Sequence, residues 1–545
     1  MDENTARLIL SSLCERATGT SGSVVLTSAE LAAIQELFGV EQSDTKGRPQ
    51  TTLEPAVTNA PEFHSLSPSV IWHPISTPDQ KILLCLDFGT SYSKAFACDG
   101  DDSSEVPNLI DITFGIDESG RPQFLLPSEI FIHNDDIYFG AAARRKFNLV
   151  EASQDRLIDN PKQYMTLGTD ITELNQKPLR LEQNPSQNFS QRDVLVLYLA
   201  HLNRMVSISL KDSGYSADVL RRYAHPAWGK SSEKANGEAM ARIMAEAVAL
   251  AHLFPADFSE KTSVDRASKL AIAARQSASD DLPFEMLKES VREATAAGAG
   301  ALMETDSGKR QAFVILDIGA GTTDVAGCIC INDRRSDQVR VSEVTPAAKA
   351  LNRAGNIIDS ALLKLILEDC SLARDTTEYE QTRQILRKSV RSLQESLFND
   401  GFVFAPLATG ETVEIDLGRF LESQPMKKLF VDINEIVSEA AFLVSGSEAT
   451  VFLVPTGGGS RLPIVDMLIA EPLKKGGRSI QLKLREAMPE DLKSPYPSLV
   501  PVYSQLAVAV GGALPSLPTQ IGSISEGIVD PGKKTMSSVY TSPHQ

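Results

Sequence analysis

The sequence predicts an α/β protein, and three observations carry that expectation. Short apolar runs end in glycine-containing turns at 82–86, 313–316 and 451–454. Helical periodicity marks 190–215, 233–254, 355–369 and 377–398. The two kinds of segment alternate along the chain, the order that builds a sheet flanked by helices.

In chain order, residues 1–40 read as a small helical piece. Leu8, Ile9 and Leu13 share one helical face, and Thr27 and Glu30 have capping-box spacing ahead of Leu31, Ile34, Leu37 and Phe38. Residues 41–80 carry Pro49, Pro55, Pro61, Pro68, Pro74 and Pro78 among Ser, Thr and Asn, which reads as an extended linker. The main body opens with the strand Ile82–Leu86, and Lys94–Cys98 pairs with it across a Gly-Thr-Ser turn. Phe313–Leu316 and Val325–Ile331 repeat that strand–turn–strand pattern. Val451–Val454 is a strand running into three glycines, and Leu506–Leu514 is a final helix containing a glycine pair. The polar, Ala/Ser-rich stretch 254–283 is expected as a surface insertion, and 515–545 as a loosely ordered tail.

Composition narrows the function. At 545 residues the chain has room for roughly three or four domains. With 42% apolar and 23% charged residues it can bury a core without a metal or disulfide staple. The formal charge of −18 argues against nucleic acid and against anionic membranes as partners. Six cysteines without a CxxC pair, and an acidic start at Met1-Asp2-Glu3, point to a reducing, cytoplasmic setting. Cys328 and Cys330 read as buried strand thiols on one face rather than a metal site. No uninterrupted stretch reaches the ~18 apolar residues of a membrane span.

The chemistry sits in a repeat. Leu84-Cys85-Leu86-Asp87-Phe88-Gly89-Thr90-Ser91-Tyr92-Ser93 is echoed by Val314-Ile315-Leu316-Asp317-Ile318-Gly319-Ala320-Gly321-Thr322-Thr323-Asp324. Each is a buried strand ending in Asp, then a Gly-rich turn with hydroxyls. Glycines let backbone amides approach a ligand, and successive amides form an anion-binding concavity. A strand-terminal Asp repels phosphate directly but can hold hydrated Mg²⁺ against it. Two such hairpins facing each other would clamp a triphosphate, although ordinary β-hairpins would show the same pattern singly. A third element, Leu453-Val454-Pro455-Thr456-Gly457-Gly458-Gly459-Ser460-Arg461, offers bare backbone on which a flat nucleoside can lie.

These three motifs, in this order, resemble the ATPase domain of DnaK-type heat-shock chaperones, within the actin, sugar-kinase and chaperone superfamily. The resemblance covers roughly Lys81 to Leu514. Leu126-Pro127-Ser128-Glu129-Ile130, Phe139-Gly140-Ala141-Ala142-Ala143-Arg144, His225-Pro226-Ala227-Trp228, Glu293-Ala294-Thr295-Ala296-Ala297 and Ala354-Gly355-Asn356-Ile357-Ile358-Asp359 are similar to further segments of that family. The implied fold is a two-lobed actin-like ATPase, each lobe built on a ribonuclease-H-like mixed sheet, with lobes at 81–305 and 306–514 and a cleft between them.

The resemblance also implies roles. Asp87, Asp317 and Glu293 would hold Mg²⁺ through its waters and orient the attacking water, with Thr322 and Arg144 completing the catalytic set. Gly89, Thr90, Ser91 and Tyr92 would bind phosphates from one side, and Gly319, Ala320, Gly321, Thr323 and Asp324 from the other. Gly355, Arg391, Gln394, Glu395, Gly457, Gly458, Gly459 and Arg461 would border the adenosine of ATP or ADP. The implied activity is ATP hydrolysis by positioning and charge stabilisation, acting as a switch on a separate protein partner or co-chaperone.

The departures from the family pattern are informative. Arg144 stands where the family has a catalytic Lys, and Arg is not equivalent at a tight phosphate contact; Lys146 is a nearby substitute. Arg144-Arg145-Lys146 is equally readable as a solvated helix face. The family's Glu, Lys, Arg and Ser on the adenosine-binding helix are replaced by Arg391, Gln394, Glu395 and Phe398. Beyond Leu514 no peptide-binding domain fits. The relaxed Walker A match at Ala224–Ser231 is set aside, because Pro226 removes an amide donor and Trp228 crowds the loop. Two other readings stay open, an actin-like filament and a nucleotide-binding scaffold without turnover. A sugar kinase is disfavoured, for want of an Asp base facing a sugar pocket.

Overall fold

A computed structural model describes residues 77–521, apart from 101–105, 117–119, 151, 153, 166–169, 230, 304–308 and 334–337. The predicted helical piece 1–40, nearly all of the linker, and the tail past 521 lie outside the described residues. The segment 115–122 groups apart and is bridged between Ile116 and Pro122. The other unit is a mixed α/β structure.

Its first large sheet comprises β1 (Asp79–Asp87), β2 (Tyr92–Asp99), β3 (Asn108–Asp111), β4 (Val219–His225) and β5 (Val291–Arg292), ordered β3-β2-β1-β4-β5, with Leu126–Pro127 pairing to β2. β1 runs antiparallel to β2 and parallel to β4. Residues 82–87 are buried without alternation because the strand is central and covered on both faces.

The second sheet comprises β6 (Arg310–Ile318), β7 (Thr323–Asp333), β8 (Gln338–Val344), β9 (Lys349–Leu351), β10 (Thr450–Thr456), β11 (Leu473–Lys475), β12 (Arg478–Leu484) and β13 (Thr519–Ile521). Its central order, β8-β7-β6-β10-β12, repeats that of the first sheet, and so do the pairing senses: two antiparallel steps, then two parallel ones. The sequence repeat is therefore a duplicated topology and not only a duplicated turn.

Among the described residues, nine helices of ten or more residues pack around these sheets: α1 (Gly140–Leu149), α2 (Gln191–Asp212), α3 (Glu233–Leu253), α4 (Val264–Gln276), α5 (Glu293–Met303), α6 (Gly355–Asp369), α7 (Thr377–Asp400), α8 (Gln424–Ser445) and α9 (Tyr503–Ala513). α2 begins at a capping box in which Ser190 and Asp193 satisfy each other's backbone amides.

Strand alternation distributes the core. Leu84 and Leu86 join one cluster with α2, α3 and α4, while Val314 and Leu316 join another with α6, α7 and α8. Cys85 and Phe96 of the first sheet, and Phe313, Ile315, Cys328 and Cys330 of the second, share a third cluster with α5 and α9. α5 and α9 cross closely: Gly511 lies directly against the Ala296 carbonyl, a separation that no Cβ tolerates. The glycine pair in the last helix is a packing device.

Two expectations need correction. The stretch 254–283 is not a surface insertion: Phe254 and Phe258 are fully buried, Lys261–Ser263 pairs with Asp136–Phe139, and α4 buries Val264, Ala267, Leu270, Ala271 and Ala274. Its alanines looked polar-neighboured in sequence but fall on one helical face. The segment after 514 is not loose at its start, since Thr519–Ile521 adds a parallel strand to β8. One described helix, Gln191–Asp212, is long and apolar enough to cross a membrane, and most of it is buried in the protein core.

Candidate functional site

The two hairpins carry their acids at equivalent positions. Asp87 ends β1 opposite Lys94 on β2, and Asp317 precedes the last residue of β6 opposite Asp324 on β7. Thr456, at the end of the parallel strand β10, donates its hydroxyl to Asp317 Oδ1 at 3.0 Å. The turn between β6 and β7 is closed by the Gly319 amide on the Thr322 carbonyl, and the start of α6 docks on it through Gly355 and Asn356 amides. The Gly459 amide donates to the Ile318 carbonyl at 2.9 Å, which brings the third glycine motif to the same place. In the first hairpin, Ser128 donates its hydroxyl to the Gly89 carbonyl and its amide to the Ser91 carbonyl. The buried Tyr198 hydroxyl secures this segment through Pro127 and Ser93. The turns touch: a Cβ on Gly321 would lie 2.5 Å from Thr90 Oγ1. Only glycine allows the second turn to sit so near the first.

Four carboxylates converge here: Asp87, Glu293, Asp317 and Asp324, all buried. Glu293 is the first residue of α5, where the helix N-terminus favours an anion. Two lysines answer them. Lys94 Nζ is 2.8 Å from Asp87 Oδ2, and its charge also reaches Asp317. Lys162 Nζ is 2.7 Å from Glu293 Oε1. Burial would lower the Lys162 pKa, but Glu293 and Asp87 outweigh it and hold it above its ordinary value. Burial pushes Glu293 up to about 8, against the pull of Lys162 and with help from Asp324 and Asp87. Burial likewise pushes Asp324 up to about 6, Lys162 opposing and Asp317 adding to it. Asp317 is raised by burial too, with Lys94 opposing. The acids outnumber the cations, so the cluster favours an added positive charge.

Lys162 comes from the turn Pro161–Met165, which Trp228 holds by donating its indole N–H to the Met165 carbonyl. His225 stacks on Trp228 with ring centroids 4.3 Å apart, and burial lowers its pKa to about 4, so it is neutral there. The amide of Ala227 and the hydroxyl of Thr322 lie beside Asp324. A cavity of about 10 Å³, room for a single water, lies next to Glu293 and Asp324 and is lined also by Ala227, Thr295 and Lys349.

Other expected site residues sit elsewhere or face elsewhere. Arg144 is not turned to the acids: it forms a two-pronged pair with the buried Glu129. Lys146 lies over the Tyr138 ring. Both are drawn off because α1 places them beside an acid and a ring that need covering. The Thr323 hydroxyl is committed to the Arg353 carbonyl, 2.7 Å away, because side chains alternate along β7 and its neighbours Thr322 and Asp324 take the acid side. Arg461 is exposed and donates to the Pro501 carbonyl. Arg391, on α7, is 4.0 Å from Asp359, which burial pushes up to about 6. Gln394 is half-buried and Glu395 exposed on the same helix, and Tyr92 is exposed at the rim.

Two functional candidates were missed in the sequence, Lys94 and Lys162. Lys94 was legible in the hairpin register, seven residues after Asp87 on the paired strand. Lys162 carried no motif at all, since only the fold brings its turn to Glu293.

Among the described residues no group of three or more His, Cys, Asp or Glu is arranged to hold a metal ion by direct ligation. The donor set instead fits a hydrated divalent cation shared with phosphate oxygens: surplus buried carboxylates, and a buried Ser91 hydroxyl with no hydrogen-bond partner within the protein. No family model matches the chain, and no curated protein matches its sequence.

Proposed function

We propose that the chain is an ATP-binding, Mg²⁺-assisted ATPase similar to DnaK-type chaperones, with a two-lobed actin-like fold, acting as a nucleotide switch on a separate protein partner. The observation that carries the reading is the duplicated sheet order whose two acid-tipped hairpins meet at Thr90 and Gly321. A topology repeated on either side of one contact suits a ligand gripped from both sides.

In this reading Gly89, Thr90 and Ser91 offer amides and hydroxyls to the phosphates from one hairpin, and Gly319, Ala320, Gly321 and Thr322 from the other. Asp87, Asp317 and Glu293 face the hydrated Mg²⁺, which supplies charge stabilisation on the phosphate oxygens. Lys162 takes the cationic role first assigned to Arg144. Glu293, kept protonated to near neutral pH, and Asp317 position the attacking water. Gly355, Arg391, Gln394, Gly457 and Gly458 border the nucleoside.

The cavity beside Glu293 has room for about one water and falls far short of the roughly 300 Å³ that a nucleotide-sized ligand needs. Nucleotide entry therefore separates the hairpins, and closure follows γ-phosphate contact, which gives the switch its two states. The test is calorimetry with ATP and Mg²⁺ on the purified chain, followed by phosphate release. Binding with turnover that Asp317→Ala and Thr322→Ala abolish is the expected result. Binding without turnover makes the protein a scaffold, ATP-dependent light scattering makes it a filament, and no binding removes the reading.

A further inference from the structure

The two hairpins differ at one cross-strand position. Opposite Asp317 the second hairpin places another acid, Asp324; opposite Asp87 the first hairpin places Lys94. The Lys94 ammonium is within hydrogen-bond distance of Asp87, only partly shielded from solvent, and close enough to act on Asp317. Lys162 adds a second fixed cation whose charge reaches Asp87, Asp324 and Asp317 as well as Glu293. Together the lysines bring the same charge as one divalent ion, supplied from side chains and anchored at 2.8 and 2.7 Å.

We propose that Lys94 is a built-in counter-cation that lets this site take a nucleoside polyphosphate without a divalent metal. The inference rests on the nucleotide-site reading above and deepens it. Buried carboxylates repel phosphate, and a site of this kind ordinarily relies on the metal to cancel that repulsion. Here the acid nearest the first glycine turn is already neutralised by its strand partner. The Gly89–Ser91 amides can then receive a phosphate chain directly. The metal's place is then set mainly by Asp317, Asp324 and Glu293, to which no strand partner supplies a cation, while Asp87 faces it with its charge already matched by Lys94. Binding and turnover are thereby separated: polyphosphate binding is carried by Lys94, and the divalent ion serves the chemical step. A lysine so placed is also a positioning residue for Asp87, since Asp87 without it would be a buried unpaired anion.

The experiment is calorimetric titration of the full chain with ATP, once in excess EDTA and once in excess Mg²⁺, on wild type and Lys94→Met. Wild type is expected to bind in EDTA within about tenfold of its affinity in Mg²⁺. Lys94→Met is expected to lose at least about tenfold more affinity in EDTA than it loses in Mg²⁺. Manganese binding to the nucleotide-loaded proteins, read by electron paramagnetic resonance, is expected to tighten in the variant. If wild type binds ATP in Mg²⁺ but more than about tenfold weaker in EDTA, the inference is wrong and the nucleotide-site reading stands. If Lys94→Met weakens both titrations equally, the inference is also wrong. No binding in either buffer removes the underlying reading with it. The wild-type comparison decides the matter even if the variant fails to fold.

Discussion

Lys162 Nζ lies 2.7 Å from Glu293 Oε1, and both side chains are almost wholly buried. One is held by a short turn pinned to Trp228, the other opens α5. A buried pair of this kind is weak as a stabiliser when intact but costly when split, because the survivor keeps an uncompensated charge.

Lys162→Met should therefore destabilise the protein in denaturant titration, by about 3–5 kcal/mol above pH 8, where Glu293 is ionised, and by less at neutral pH. It should also lower ATP turnover at least about a hundredfold, in line with loss of a charge-stabilising group. Combining it with Glu293→Gln removes both charges and should recover most of the stability but none of the turnover. Recovery of both would reduce Lys162 to a structural role.

Arg144 leads to the opposite expectation. It covers Glu129, which burial holds above the usual carboxylate range against the pull of Arg144. Its side chain is about a third exposed, so solvent moderates what the pair contributes. Arg144→Met should cost about 1–2 kcal/mol of stability and leave turnover per folded molecule within about threefold. A hundredfold loss of turnover with unchanged stability would return Arg144 to the catalytic set.

The contrast between these two cations measures what the sequence could reveal. Strands, long helices and the Asp-tipped hairpins were legible because apolar runs and glycine turns are local signals. Lys94 was legible too, through its register opposite Asp87, but motif reading passed over it. Arg144 was placed by alignment with a family pattern, and α1 turns it to Glu129 instead. Lys162 depends on a tertiary approach between segments with no local link, which single-sequence reasoning does not reach. Residues 254–283 were misjudged for a related reason. Alanines and two phenylalanines spread through polar sequence become a buried face only once the helix phase and the strand Lys261–Ser263 are known.

Proton linkage gives a third prediction. Burial pushes Glu293 from an ordinary 4.5 up to about 8, and Asp324 from 3.8 up to about 6. In the unfolded chain both ionise at their ordinary values, so between those values and the raised ones the native state holds more protons. Stability contributed by these groups is complete below about pH 4 and is lost as pH rises through 6 and then 8. The Tm of nucleotide-free protein in EDTA should fall from pH 5 to pH 8.5, and Glu293→Gln should flatten the upper part of that decline. A wild-type Tm independent of pH, or the same slope in the variant, would contradict the assignment.

The closest approach between the hairpins supplies the last. A Cβ on Gly321 would meet Thr90 Oγ1 at 2.5 Å, Cγ2 at 2.9 Å and Cβ at 3.2 Å. The hydroxyl and methyl can rotate away, but the Thr90 Cβ cannot, so Gly321→Ala must hold the two turns apart by some tenths of an ångström. The fold tolerates that, since the contact lies at turn tips and not in a core cluster, and stability should change by less than about 1 kcal/mol. Phosphate contacts made from both turns at once tolerate it poorly, and ATP affinity should drop about tenfold. Thr90→Gly removes all three obstructing atoms. In a double-mutant cycle the Gly321→Ala penalty measured in the Thr90→Gly background should largely vanish, a coupling that neither substitution shows alone. Additive effects on ATP affinity would mean that the two turns do not grip one ligand.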